Sequence, residues 1–154
     1  MTIVRIFLAS PADTAPAREI ISQLVHDIGQ EPAYRTTLRL ELLRWDDPTR
    51  PVPCSFLRNP QREVVDYAGD PGDCDLVIGL FRHVFGSPLP VEDWDLSPDG
   101  DPWTGTEWEL HRGIDAARNG QVREVWVYRD MIPLELASDI PDDEFERRDR
   151  KSVV

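Results

Sequence analysis

The sequence predicts an α/β fold with a central parallel sheet covered by helices on both faces. Apolar runs alternate with stretches of helical periodicity, in the order β-α-β-α-β-α-β. The first run carries little polar alternation, which suits a strand buried on both faces. The length, 154 residues, allows one domain with a sizeable core and is too short for two.

Thr2 to Ser10 is β-branched and apolar and reads as the first strand. Ser10-Pro-Ala-Asp-Thr14 breaks it. Ala17, Ile20, Ile21, Leu24, Val25 and Ile28 then recur at steps of three and four, one apolar helix stripe. Asp13 or Thr14 can cap this helix, Pro16 suits its first turn, and Gly29 can end it. Leu38 to Trp45 reads as the second strand, stopped by Asp46-Asp-Pro48. The proline-rich stretch from Thr49 to Pro60 is expected to be an irregular loop, and Gln61 to Ala68 a short helix. Asp75 to Phe81 is the third strand. Leu89 to Trp103 is acidic and rich in Pro, Asp and Gly, hence a surface loop. Thr106 to Asn119 is the third helix, with Leu110, Ile114 and Ala117 on one face and Gly120 as its stop. Val122 to Tyr128 is the fourth strand. A proline-containing turn and an acidic helix start at Asp142-Asp-Glu144 follow. That helix stops without a cap, so the chain is expected to be the N-terminal piece of something longer. The apolar character of the first strand, with right-handed crossovers, predicts a strand order of 2-1-3-4.

Composition excludes several classes. A net charge of −12 argues against a nucleic-acid partner and against an anionic membrane surface. A hydrophobic fraction of 40% and five Trp argue against disorder. Two cysteines, Cys54 and Cys74, cannot build a disulfide scaffold or a four-ligand zinc site. Cys74 reads as a packed core thiol. No signal peptide and no apolar run of membrane-spanning length occurs, so a cytoplasmic protein is expected. His26, His83 and His111 lack metal-ligand spacing, and there is no Gly-x-Ser-x-Gly elbow.

In such a sheet ligands bind outside the carboxyl ends of the strands. Ser10 to Thr14, Trp45 to Pro48, Phe81 to Pro88 and the turn into Thr106 must lie there. The first lacks both a Gly-x-Gly-x-x-Gly fingerprint and a Walker-type sequence. Ser10 and the amides beyond it could hold a phosphate, or Ser10 and Asp13 serve only as turn and helix caps. Thr106 and Glu109 have the spacing of a capping box, with Glu107 a solvated acid near the helix N-terminus.

Six blocks together resemble a known family. They are Phe7-Leu-Ala-Ser-Pro-Ala-Asp13 with Ala17-Arg-Glu19 following, Leu40-Glu-Leu-Leu-Arg-Trp45, Pro60-Gln61, Asp73 to Phe81 running into Phe85-Gly-Ser-Pro88, Gly105-Thr-Glu-Trp-Glu109, and Glu124-Val-Trp-Val-Tyr128. The pattern resembles the TIR-like domain family of unknown function found at the N-terminus of many bacterial and animal STAND/NLR-type proteins. The stretch Gly105-Thr-Glu-Trp-Glu-Leu110 is also similar to the Gly-Thr-x-x-Glu-Leu motif of nucleoside deoxyribosyltransferases. The resemblance implies a flavodoxin-like, three-layer TIR fold. For active members it implies hydrolysis of NAD, a substrate rather than a cofactor, at the nicotinamide–ribose bond, with Glu109 as the catalytic carboxylate. The setting it implies is bacterial anti-phage defence, with self-association and a fused or partner STAND-type ATPase. These 154 residues contain no ATPase or repeat region, and the loop from Leu89 to Trp103 has no counterpart in the pattern.

The residues suit that chemistry. Nicotinamide leaves a cationic glycoside as a neutral base, so no strong general acid is needed. A carboxylate beside the ribose stabilises the oxocarbenium-like transition state. Trp45, Phe81 and Phe85 could stack on nicotinamide or adenine, or simply pack in the core. Arg44 and Arg82 could pair with the pyrophosphate, or with surface acids. Ser10, Asp13 and Thr106 complete the expected binding residues. Two further readings use the same sequence: a nucleoside or nucleotide N-glycosidase or deoxyribosyltransferase working through Glu109, and a non-catalytic assembly or signalling module.

Overall fold

The computed structural model describes residues 1–50, 60–92 and 94–131. Four strands form one parallel sheet: β1 (Thr2–Ala9), β2 (Leu38–Leu43), β3 (Leu76–Phe81) and β4 (Glu124–Arg129), in the order β2-β1-β3-β4. Three α-helices connect them: α1 (Ala15–Gln30), α2 (Pro60–Ala68) and α3 (Gly105–Arg118). This is the α/β, flavodoxin-like architecture expected, with β1 inside the sheet. The expected loop around Pro51 and Pro53, Cys54, and the acidic helix start at Asp142 lie outside the described residues.

Register follows from which face each residue must bury. β1 pairs with β2 from Thr2↔Leu38 to Phe7↔Leu43 and with β3 from Ile6↔Leu76 to Ala9↔Gly79. β3 pairs with β4 from Leu76↔Glu124 to Phe81↔Arg129. Side chains alternate across a strand. Ile6, Leu8, Ile78 and Leu80 therefore share one face and pack against Ala17, Ile21 and Val25 of α1. Phe7, Ala9 and Val77 share the other with Ala116 of α3, Cys74 and Val122, and Leu110 packs against them. Burial pushes the Cys74 thiol up to about 12, so it stays protonated and acts as a core group. β4 forms the second edge and is more open than a strand buried on both faces, with Trp126 and Tyr128 exposed.

The ends of α1 differ from the expectation. Thr14 occupies its N-cap position but makes no capping hydrogen bond; its hydroxyl donates instead to the Pro11 carbonyl at 2.8 Å. Asp13 does not cap either, because its carboxylate is drawn to a distant loop. Pro16 sits in the first turn as expected, whereas Gly29 lies inside the helix and Glu31 is its C-cap.

Helix α3 approaches the sheet closely because residue 113 is glycine. A Cβ there would stand 2.8 Å from Val77 Cγ2 and 3.0 Å from Val77 Cβ, a buried branched side chain with no room to retreat. Gly113→Ala is expected to destabilise the protein by about 1–3 kcal/mol through overpacking, read as a lower denaturant midpoint at unchanged slope. An unchanged midpoint would mean that α3 can shift outward freely.

Candidate active site at the start of helix α3

The segment Thr104-Gly-Thr-Glu-Trp-Glu109 contains two overlapping Thr-x-x-Glu patterns, and the fold uses the first. Thr104 is the N-cap: its hydroxyl accepts from the Glu107 amide at 3.3 Å, and Glu107 Oε2 accepts from the Thr104 amide at 3.0 Å. The capping box is therefore Thr104–Glu107, not Thr106–Glu109, and Glu107 is a cap rather than a merely solvated acid. The selection is tertiary. The Thr104 hydroxyl also donates to the Phe85 carbonyl at 2.6 Å, tying the cap to the loop after β3.

Glu109 is thereby free of capping duty. It lies in the first half of α3 on the face that meets α2, and is only 3% exposed. Gln61, the second residue of α2, donates from Nε2 to Glu109 Oε1 at 2.7 Å. Burial pushes the carboxyl from 4.5 up to about 8, against the Gln61 N–H, which pulls it down. Glu109 is therefore mostly protonated at neutral pH. Between those two values the folded protein holds a proton that the unfolded chain has lost. The resulting stability is fully present below about 4.5 and is lost as pH rises through about 8. Denaturant midpoints measured from about pH 5 to about pH 9 are expected to fall relative to those of Glu109→Gln, which has no such proton. Parallel pH dependences for the two proteins would mean that Glu109 ionises freely in the fold.

Several expected residues gather around this helix start. Asp13 Oδ2 accepts from the amides of His83 at 2.9 Å and Val84 at 3.2 Å, joining the turn after β1 to the loop after β3. Its Oδ1 is buried without a hydrogen-bond partner. The ring of Phe85 lies 5.1 Å from that of Phe81, and Phe81 packs with Leu110 over Gly79. Thr106 is buried, with its hydroxyl against Gly86, whose φ of +102° lets the loop turn onto the helix. The acidic loop folds back over α3: Trp94 packs edge-on against Trp108 at 4.8 Å and Trp103 against His111 at 4.7 Å.

Other expected residues go elsewhere. Ser10 has the parity of Ile6 and Leu8, so its side chain falls on the α1 face of the sheet, opposite α3. Its hydroxyl accepts from Arg18 Nη1 at 3.2 Å and its carbonyl from the Trp45 indole at 3.1 Å. Ser10 therefore neither caps a helix nor shares a cleft with Glu109. Trp45 lies under the Arg18 guanidinium, 5.2 Å from its ring centre. Arg44 is buried on the α1 side, paired with Glu19 at 2.6 Å and Asp46 at 3.0 Å, and lines a cavity of about 580 Å³ between α1 and β2 that Glu109 does not reach. Arg82 pairs with Asp130 at 3.3 Å. Ser10, Trp45 and Arg44 thus make their contacts with α1, whereas Asp13 of the same turn reaches the loop after β3 beside the start of α3. Gln61 and Arg18 hold the centres of these two sets of contacts; both fall inside blocks of the resemblance, but neither was expected as a site residue.

No helix among the described residues is long and apolar enough to cross a membrane. Among the same residues no three His, Cys, Asp or Glu side chains are grouped to hold a metal. No family model, curated protein or solved structure matches the chain.

Proposed function

We propose that this chain is a TIR-like effector domain that hydrolyses NAD at the nicotinamide–ribose bond, with Glu109 as its catalytic carboxylate. One observation carries the reading. A carboxyl group with no capping role is buried in the opening turns of a helix at the carboxyl end of a parallel sheet, with its ionisation moved up to about 8. Structural ion pairs do not account for it, since the partner found for Glu109 is the neutral amide of Gln61.

The chemistry asks little else of the protein. The C1′–N bond breaks, its electron pair returns to the pyridinium nitrogen, and nicotinamide departs neutral. Water captures C1′ and releases a proton. The positive charge that develops on the ribose faces the Glu109 carboxylate. A cationic glycoside beside Glu109 favours the ionised form, offsetting part of the burial that keeps it protonated in the free protein. Phe85, half-buried and backed by Phe81, offers a stacking surface next to the helix start. Asp13 and the amides of the loop after β3 shape its rim. The proposal extends to a cytoplasmic role in anti-phage defence, where self-association and a STAND-type ATPase would switch the domain on.

A second reading has its own observation. At 3% exposure Glu109 is closed to a nucleotide unless the loop after β3 or α2 moves, as in a domain that only assembles. Incubation of a clustered form of the protein with NAD, and separately with deoxynucleosides, separates the readings. Nicotinamide release is the expected result. Cleavage of deoxynucleosides alone would move the substrate class, and turnover of neither would favour the assembly module.

A further inference from the structure

Gly105, which opens α3, has an ordinary helical N-terminal role on sequence grounds, and nothing in its backbone requires glycine. Its φ is not positive. Its surroundings favour it. A Cβ at position 105 would collide with Gln61 Oε1 and stand 3.4 Å from Gln61 Cδ. The amide of Gln61, itself buried, thus points its Oε1 at the bare Cα of Gly105 and donates from Nε2 to Glu109 at 2.7 Å. Three residues on two helices form one unit: Gly105 opens the space, Gln61 fills it, and Glu109 receives the N–H.

We infer that Gln61 is a positioning residue for the Glu109 carboxyl and that Gly105 is glycine in order to admit it. The inference rests on the reading of Glu109 as the working group, and gives the glycine of the Gly-Thr-x-x-Glu stretch a physical task. The side-chain amide fixes one carboxyl oxygen, so the other keeps a defined direction. Removing it leaves a buried carboxyl with rotational freedom and one fewer donor for its charged form. A methyl group at 105 achieves the same by pushing the amide away, without touching either polar residue.

The test follows the side-chain carboxyl carbon of Glu109 by 13C NMR as pH is raised, with its resonance assigned by its loss in Glu109→Gln. Gln61→Leu is expected to move the titration midpoint upward by roughly one pH unit, the loss of one donor to the carboxylate. Gly105→Ala is expected to move it the same way and by a similar amount. The double variant is expected to move it no further, because both changes remove one contact. Gly113→Ala, which strains the same helix against Val77 and not against Gln61, is expected to leave the midpoint where it is. Nicotinamide release by Gln61→Leu is expected to fall roughly tenfold in kcat with little change in KM, as for a positioning group. An unmoved midpoint in either Gln61→Leu or Gly105→Ala overturns the inference, as does an equal shift in Gly113→Ala. Shifted midpoints in a protein that releases no nicotinamide would leave Gln61 in its role and remove the NAD reading instead.

Discussion

Glu109→Gln is expected to slow nicotinamide release by about 100- to 1,000-fold or more, without loss of fold. The substitution keeps the shape of the side chain and a carbonyl oxygen that still accepts from Gln61 Nε2. It removes only the charge that would face the ribose. Because ionised Glu109 is costly where it lies, the variant is expected to match or exceed the wild type in stability at alkaline pH. Glu107→Gln is the matched control two residues away. A glutamine satisfies the capping box as well as a glutamate does, so both activity and stability are expected to stay near wild type. The pH profile supplies an independent reading. In the proposed mechanism the active form of Glu109 is the carboxylate, and kcat/KM reports the ionisation of the free protein. It is expected to rise with pH and to level off above about 8, where Glu109 has lost its proton. Equal activity in wild type and Glu109→Gln would remove Glu109 from the mechanism. Activity lost only in Glu107→Gln would move the role to the cap.

Why Glu109 was visible in the sequence and Gln61 was not is a matter of range. The strands and their order could be read because they depend on apolar runs, and burying those runs leaves few alternatives. Helix α1 could be read from its stripe, and α3 from Leu110 and its neighbours. The start of α3 was ambiguous for a physical reason: Thr104–Glu107 and Thr106–Glu109 have identical local spacing. What separates them is the Phe85 carbonyl, nineteen residues before Thr104, which takes the Thr104 hydroxyl. Local preference had no access to that contact. Gln61 is forty-eight residues from Glu109, and nothing in the Pro60-Gln61 block says that its amide reaches that carboxyl. Ser10 is a different case. Its parity with Ile6 and Leu8 already assigned it to the face of α1, so its separation from α3 was legible in strand alternation alone. Arg44 follows the same rule, one step beyond Leu43 on the α3 face. The four-piece cleft expected at the carboxyl edge neglected that alternation.

The largest expected loss of stability belongs to Arg18, hidden within the apolar stripe of α1. It is 2% exposed, and its guanidinium binds groups from two segments that the sheet brings together. Nε donates to Asp46 Oδ2 at 2.8 Å, and Nη1 donates to the Pro11 carbonyl at 2.6 Å and to the hydroxyls of Ser10 and Thr14, each at 3.2 Å. Its face covers Trp45. One planar group thus holds the turn after β1 against the end of β2. Arg18→Met keeps much of the apolar volume but leaves the Pro11 carbonyl without this donor and Asp46 with Arg44 alone. A loss of about 2–4 kcal/mol is expected, because several hydrogen bonds to a buried charged group go at once while Asp46 keeps Arg44. Arg18→Lys is expected to recover only a small part, because an ammonium cannot span the same fork of acceptors. A loss below about 1 kcal/mol would reduce the contact to the level of a surface ion pair. Arg18 lies across the sheet from Glu109. Below its unfolding transition, Arg18→Met is therefore expected to keep the wild-type titration of Glu109. A changed Glu109 titration in that variant would show that the two faces are coupled through β1.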